Sequence, residues 1–153
     1  LDAFGLADTD KPLLIHDKFT KLIKQSEENE RQYIYSENGQ VKGYAYIVSG
    51  QGFWAPIKGV VGFKPDRKTI TGISFYEQNE TPGLGAEIAK EPFQKQFKDK
   101  VIADKGRYIE ILPPGADVGM NQVHAVTGAT QTSTRLEKLI NDSLKEELAE
   151  GGE

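Results

Sequence analysis

Cysteine is absent from this sequence, histidine occurs only twice, and methionine and tryptophan occur once each. Without cysteine the chain cannot form disulfides, thiolate nucleophiles, iron–sulfur clusters or cysteine-ligated zinc sites. Two histidines, His16 and His124, are too few for a histidine-rich metal site, so we predict no metal. Long hydrophobic runs are also missing, since no segment approaches the ~18 apolar residues of a membrane span.

The charge pattern argues against nucleic acid as a partner. The net charge is −4, and the 19 basic residues are dispersed along the chain. Neutralising phosphates requires a basic face, which this distribution does not supply. The length of 153 residues predicts a single domain over 1–153. The chain begins at Leu1 without an initiator methionine, and we expect an N-terminal membrane anchor to precede it in the full-length protein.

The first half of the chain is rich in β-branched and aromatic residues after a polar start. Weak helical periodicity predicts an amphipathic helix over residues 17–31. Four strands then follow in two pairs: Tyr33–Ser36 with Tyr44–Val48, and Gly59–Phe63 with Thr69–Tyr76. Asn38-Gly39 between the first two is a strong hairpin signal. Residues 51–56, between the two pairs, are predicted to form a Gly-rich aromatic loop.

In the second half of the chain the hydrophobic periodicity is lost from Gln78 to Gly85, which predicts a loop there. The remaining predictions are helical segments over 86–100, a strand over 107–112, a loop over 113–121 and a long helix over 132–150. Thr134 and Glu137 match a capping box at the start of that helix. This order predicts an α+β fold: a single domain with an antiparallel sheet and helices packed on it.

Residues 126–133 (VTGATQTS) lead directly into the strongest predicted helix. A helix N-terminus carries unpaired N–H groups and the positive end of the dipole, and Gly128 and Ala129 let a ligand approach the backbone. These features suit a phosphate site, although the same hydroxyls could merely cap the helix. No P-loop or Gly-x-Ser-x-Gly motif is present, and His124 beside the hydroxyls is weak support for a hydrolase.

Two motifs resemble the FMN-binding domain family. Thr127–Thr132 (TGATQT) is similar to the family signature [Ser/Thr]-Gly-Ala-Thr-x-[Thr/Ser], and Glu80–Gly85 (ETPGLG) is similar to a second family loop. The family includes the C subunit of the Na⁺-translocating NADH:quinone reductase and the G and D subunits of the Rnf complex. Residues 50–54 (GQGFW) and 72–77 (GISFYE) resemble the reductase member more than the Rnf members.

The resemblance implies FMN as the cofactor, esterified through its phosphate to Thr130 by a flavin transferase. It implies that the phosphate is held by residues around that threonine: Thr127, Gly128, Ala129 and Thr132. It places the ring against the second loop, with Leu84 on the ring face and Glu80, Thr81 and Gly83 beside it. Trp54, in its Gly-flanked loop, is expected either to stack near the flavin, to dock on a partner subunit, or simply to pack as a core aromatic.

One position departs from the family pattern. The family usually carries Asp six residues before the modified threonine, where this chain has His124. If the transferase reads that Asp, attachment would be slower or absent, and FMN would then bind without the ester.

The resemblance also implies the setting in which the domain works. It would be an electron relay, not a catalyst alone, on the periplasmic side of an inner membrane, beside the membrane subunits of the same redox complex. The alternatives are a soluble extracytoplasmic flavin carrier outside any translocase and a phosphate-binding domain with no redox role. NADH would not bind here, because Gly-x-Gly-x-x-Gly is absent.

Overall fold

The computed structural model describes residues 23–27 and 29–150, with side chains for 25–27 and 29–148. A five-stranded antiparallel sheet in the order β1-β2-β3-β4-β5 dominates the described chain. Its strands are β1 (Ile23–Gln25), β2 (Gln32–Glu37), β3 (Gln40–Gln51), β4 (Pro56–Phe63) and β5 (Ile70–Glu77). Each strand follows its neighbour in sequence, so the sheet is a meander that needs no crossover.

The two predicted hairpins, β2–β3 and β4–β5, form where the sequence predicts them. Asn38 and Gly39 adopt φ values of 53° and 77° between β2 and β3, as a tight hairpin turn requires. Between β4 and β5, the carboxylate of Asp66 accepts hydrogen bonds from the backbone N–H groups of Lys68 and Thr69 at 2.8 and 2.9 Å. Both turns are therefore fixed by local chemistry.

The predicted helix over residues 17–31 is wrong where the structure describes it. Ile23–Gln25 forms β1, which pairs antiparallel with β2; the rest of the predicted span before Ile23 lies outside the described residues. The helical periodicity here is weak and the segment is polar. Backbone pairing with the edge of β2 overrides such a low local preference.

Short helical turns follow the sheet. The helical segments predicted over 86–100 are present in short form, as a 3₁₀ turn (Gly85–Ala89), the helix α1 (Glu91–Gln94) and a second 3₁₀ turn (Lys95–Phe97). Pro92 lies in the first turn of α1, where its missing N–H costs nothing. Ile88, Phe93 and Phe97 are buried, so these turns cover one part of the core.

A small two-stranded sheet joins β6 (Glu110–Leu112) to β7 (Gln122–His124). The strands are parallel, with Ile111 opposite Val123. The sequence predicts a strand over 107–112, longer than β6, and does not predict β7. Three residues are too few to show an alternating pattern, so β7 is defined by its partner strand.

Helix α2 (Thr130–Glu150) packs on the main sheet, chiefly against β3. Its predicted apolar face is confirmed: Leu136, Leu139, Ile140 and Leu144 are buried, and Leu148 packs at the margin of the core. Asn141 fastens the helix to the chain before β6, because its amide accepts from the N–H and donates to the carbonyl of Ile109, at 3.2 and 2.7 Å. The α+β class, with helices on an antiparallel sheet, is therefore confirmed.

In the part of the chain that the structure describes, no helix combines the length and the apolar composition needed to cross a membrane.

Candidate functional site

A cleft of about 230 Å³ lies where two loops meet the start of α2 and the residues just before it. The loop after β3 contributes Phe53 and Trp54, the loop after β5 contributes Thr81, Leu84 and Gly85, and the third wall is residues 128–132. The segments that the sequence singled out independently are therefore neighbours in space. The volume is below the ~300–1,000 Å³ typical of sites that enclose a small-molecule ligand, so a ligand of that size would be only partly enclosed.

The start of α2 lacks a side-chain cap. The first helical hydrogen bond runs from the N–H of Ser133 to the carbonyl of Ala129 at 3.0 Å, which makes Ala129 the N-cap residue. Alanine has no oxygen to accept from the first-turn N–H groups. No described residue accepts from the N–H groups of Thr130, Gln131 or Thr132, so three donors point out of the helix start beside the cleft.

The hydroxyl that was expected to cap α2 is directed elsewhere. Thr134, expected as one half of a capping box, donates instead to the carbonyl of Thr130 at 2.9 Å. Its expected partner Glu137 accepts from the backbone N–H of Ile111 and from Arg107, both at 2.7 Å. The capping-box prediction is wrong because the helix begins four residues before Thr134. No other hydroxyl in the described chain accepts from a first-turn N–H group of α2, so the interpretation that these hydroxyls merely cap the helix is not supported either.

Thr130 and Thr132 line the cleft in different ways. Thr130 is exposed at the first position of α2, with its side chain open to a reacting partner. Thr132 is buried and faces Gly85, where a Cβ would collide with the threonine hydroxyl. Gly85 is therefore required for the second loop to approach the helix start.

Ser133 is a feature of the helix start that the sequence did not single out. Its side chain is buried, and its hydroxyl has no hydrogen-bond partner within the described chain. Buried hydroxyls are normally satisfied, and leaving one unpaired costs about 1–3 kcal/mol. The first turn of α2 thus carries unsatisfied polar groups on both backbone and side chain.

Leu84 and Gly128 close one side of the cleft. Gly128 has φ of 77°, which favours glycine, and a Cβ there would lie 3.3 Å from Cδ2 of Leu84. Leu84 is 44% exposed although it is a large apolar residue in contact with the backbone of the third wall. An exposed leucine at the mouth of a cleft is suited to contact an aromatic ring.

Trp54 and Phe53 form the aromatic wall of the cleft. Trp54 is 65% exposed, its ring lies 4.7 Å from that of Phe53 in an edge-to-face arrangement, and its Nε1–H donates to Oγ1 of Thr81 at 3.2 Å. The exposure excludes the interpretation of Trp54 as a packed core aromatic. Phe53 was not among the predicted site residues, although it precedes Trp54 in the same Gly-flanked loop.

Three other predicted site residues lie outside this cleft. Thr127 and Gly83 line a neighbouring recess of about 390 Å³ between α1 and the 125–127 segment. Glu80 is buried, and its carboxylate accepts from the backbone N–H groups of Phe53 and Trp54. The prediction that these three contact the cofactor stays a prediction.

His124 does not line the cleft. Its Nε2 lies 2.7 Å from the carbonyl oxygen of Ala116, which can only accept, so Nε2 carries the proton and donates. Its backbone is held on both sides by Gln96, whose amide accepts from the N–H and donates to the carbonyl. The ring therefore serves to fasten the 113–119 loop.

A cleft with free helix N–H donors, an exposed threonine and aromatic and aliphatic walls is suited to a ligand that has both an anionic group and a flat apolar part. The pattern that defines the FMN-binding domain family matches residues 52–145, more than half of the chain. The chain belongs to this family, and FMN is the cofactor the family is described as binding.

Two individual proteins resemble this chain in sequence over most of its length. The C subunit of the Na(+)-translocating NADH-quinone reductase of Neisseria meningitidis is 33% identical over 120 residues, covering 76% of this chain and 46% of the relative. The corresponding protein of Haemophilus ducreyi is 36% identical over 115 residues, covering 73% and 43%. The chain thus spans less than half the length of these relatives.

A solved structure agrees with the fold. The crystal structure of the C subunit of the same reductase from Parabacteroides distasonis superposes with a TM-score of 0.79 at 26% identity, covering 94% of this chain and 84% of that one. The fold of this chain is therefore similar to that of the neighbour over nearly its whole length.

Proposed function

We propose that this domain carries one FMN, with its phosphate esterified to Thr130, as the flavin domain of a C subunit in a Na⁺-translocating NADH:quinone reductase. The observation that carries the proposal is the uncapped start of α2. Three N–H donors, the positive end of a 21-residue helix and an exposed threonine hydroxyl meet at one cleft wall. Such a wall stabilises a bound phosphate.

The other two walls suit the remainder of FMN. Leu84 and the Phe53–Trp54 pair present exposed apolar surface in the lining of the cleft. Bound FMN supplies the redox chemistry, and the protein supplies position and electrostatics. Arg135, whose guanidinium lies 6.0 Å from the ring centroid of Phe53, places a positive charge near the same mouth.

The size of the cleft favours a relay over an enclosed catalytic site. A cleft of about 230 Å³ would leave part of a flavin exposed. An exposed ring edge is what electron exchange with a partner protein requires. We propose that the partners are membrane subunits of the same complex, that the domain lies on the periplasmic side, and that a flavin transferase attaches the cofactor.

Attachment can be tested by co-expressing the domain with a flavin transferase and examining the denatured chain for flavin fluorescence. We expect fluorescence in the wild-type protein, none in Thr130→Val, and wild-type intensity in Thr134→Val, which removes an exposed hydroxyl one turn further along α2 that neither lines the cleft nor belongs to the signature. Fluorescence that persists in Thr130→Val would place the ester elsewhere. Loss of all flavin from the wild type on denaturation would show non-covalent binding.

The departure at His124 can be tested in the same assay. The variant His124→Asp restores the residue usual in the family at this position. If the transferase reads that residue, His124→Asp is flavinylated faster than the wild type. Equal rates would show that the position does not influence attachment.

A further inference from the structure

Glu80 is a buried carboxylate between two walls of the cleft. Only 5% of its surface is exposed. Its Oε1 accepts from the N–H of Phe53 at 2.7 Å and its Oε2 from the N–H of Trp54 at 3.2 Å. Within the described residues no lysine or arginine forms an ion pair with it. Burying such a group is costly unless hydrogen bonds compensate, and here two backbone donors do so.

The turn that carries the two aromatic residues is shaped around this carboxylate. A Cβ at Gly52 would lie 2.6 Å from Oε1 of Glu80, so a larger side chain would displace the carboxylate. The N–H of Gly52 donates to the carbonyl of Ala55 at 2.9 Å, which closes the turn. The two N–H groups that donate to Glu80 belong to Phe53 and Trp54, which lie in the exposed middle of that turn.

Glu80 is also fixed from its own side. Its backbone N–H donates to the side-chain carbonyl of Gln78 at 2.8 Å. A Cβ at Gly85 would lie 2.9 Å from the Cβ of Glu80, so the far end of the same loop packs closely against it. The carboxylate therefore has little freedom to turn toward the cleft.

We propose that Glu80 is a positioning residue, whose carboxylate holds the backbone of Phe53 and Trp54 and so sets the aromatic wall against which the flavin ring lies. The link to the flavin rests on the proposed function. Glu80 acts through the two aromatic residues and does not itself contact the cofactor. This differs from the expectation, drawn from the family resemblance, that it meets the polar edge of the ring.

Amide hydrogen exchange of the flavin-free wild-type domain tests the proposal without any substitution. Phe53 and Trp54 have exposed side chains in a turn, so their amides would exchange quickly if they were free. Hydrogen bonds to a buried charge slow such exchange at least about tenfold. We expect this protection at both amides. Exchange at the free-chain rate would overturn the proposal, whether or not any variant folds.

The variant Glu80→Gln tests the same point by substitution, with Glu77→Gln as the matched control. Glutamine keeps one acceptor oxygen and loses the other, whereas Glu77 lies at the exposed end of β5 and pairs with Lys58 at 3.2 Å. Because Trp54 is the only tryptophan, its emission reports the aromatic wall directly. We expect lower Trp54 anisotropy and an about tenfold loss of amide protection in Glu80→Gln alone.

The flavin-loaded protein separates this proposal from the proposed function. In Glu80→Gln we expect wild-type amounts of flavin on the denatured chain, with weaker quenching of Trp54 by the flavin in the folded protein. Quenching, anisotropy and exchange equal to those of Glu77→Gln would overturn the role of Glu80. A wild-type chain that takes up no flavin would contradict the proposed function, while exchange and anisotropy would still decide the role of Glu80.

Discussion

Because the start of α2 is uncapped, we predict that the single substitution Ala129→Ser changes stability and flavin affinity in opposite directions. Ala129 is the N-cap residue, buried but lining the cleft, and the N–H groups of the three residues that follow it have no acceptor within the described chain. A serine hydroxyl at this position would accept from one of those N–H groups. The helix would then be capped by its own side chain, at the place where the phosphate is proposed to bind.

The expected size follows from the value of a cap. Serine in place of alanine at an N-cap is worth about 1 kcal/mol, which for a domain of this length raises Tm by roughly 2–4 °C. FMN must displace that cap to use the same donors, so the same ~1 kcal/mol weakens its binding by about fivefold. Stability and flavin affinity therefore change in opposite directions.

Two assays on the flavin-free domain, made without the transferase, measure the two effects. Denaturation followed by circular dichroism gives the stability, and titration with FMN gives the affinity. Ala125→Ser, four residues before the N-cap, introduces the same hydroxyl outside the helix start and should change neither. Unchanged stability together with unchanged affinity in Ala129→Ser would refute the reasoning, because it would mean that these donors are neither free nor used.

Two further predictions concern the scaffold. Asn141→Ala leaves both backbone groups of the buried Ile109 without their partner and should lower the free energy of unfolding by about 2–4 kcal/mol in urea denaturation. The control Asp142→Ala, at an exposed neighbouring position, should lower it by less than about 0.5 kcal/mol. Equal losses of stability in the two variants would contradict the role given to Asn141. Partial burial raises the pKa of Asp66, but hydrogen bonds, chiefly from Thr69, outweigh this and hold the pKa below its ordinary value. Its stabilising effect is thus complete above the unfolded value of about 3.9 and disappears as the pH falls through the lower folded pKa; an NMR titration midpoint at or above about 3.9 would contradict this.

The parts of the fold that could be predicted are those with local causes. Asn38-Gly39 specifies its hairpin, and the three- and four-residue spacing of leucines and isoleucines specifies α2. β1 and β7 could not be predicted, because each is three residues long and is defined by pairing with another strand. Their conformation is a consequence of tertiary pairing.

The site shows the same division. The motifs at residues 80–85 and 127–132 could be found in the sequence, and both contribute to the cleft. The sequence could not predict which residues of each motif face the cleft, because that depends on how the loops after β3 and β5 pack against the start of α2. Thr127 and Gly83 face the neighbouring recess, and Glu80 is directed into the aromatic turn. The free donors of α2 follow from Ala129 occupying the N-cap, which the sequence pattern does not indicate.

The central claim is that Thr130 carries the flavin, and one measurement addresses it most directly. Trypsin cleaves after Arg107 and Arg135, so a single peptide, residues 108–135, contains Thr127, Thr130, Thr132, Ser133 and Thr134. Fragmentation of this peptide by tandem mass spectrometry, from protein matured with a flavin transferase, locates the modification. We expect the mass of one FMN less one water on Thr130; the same mass on another hydroxyl, or an unmodified peptide, would contradict the claim.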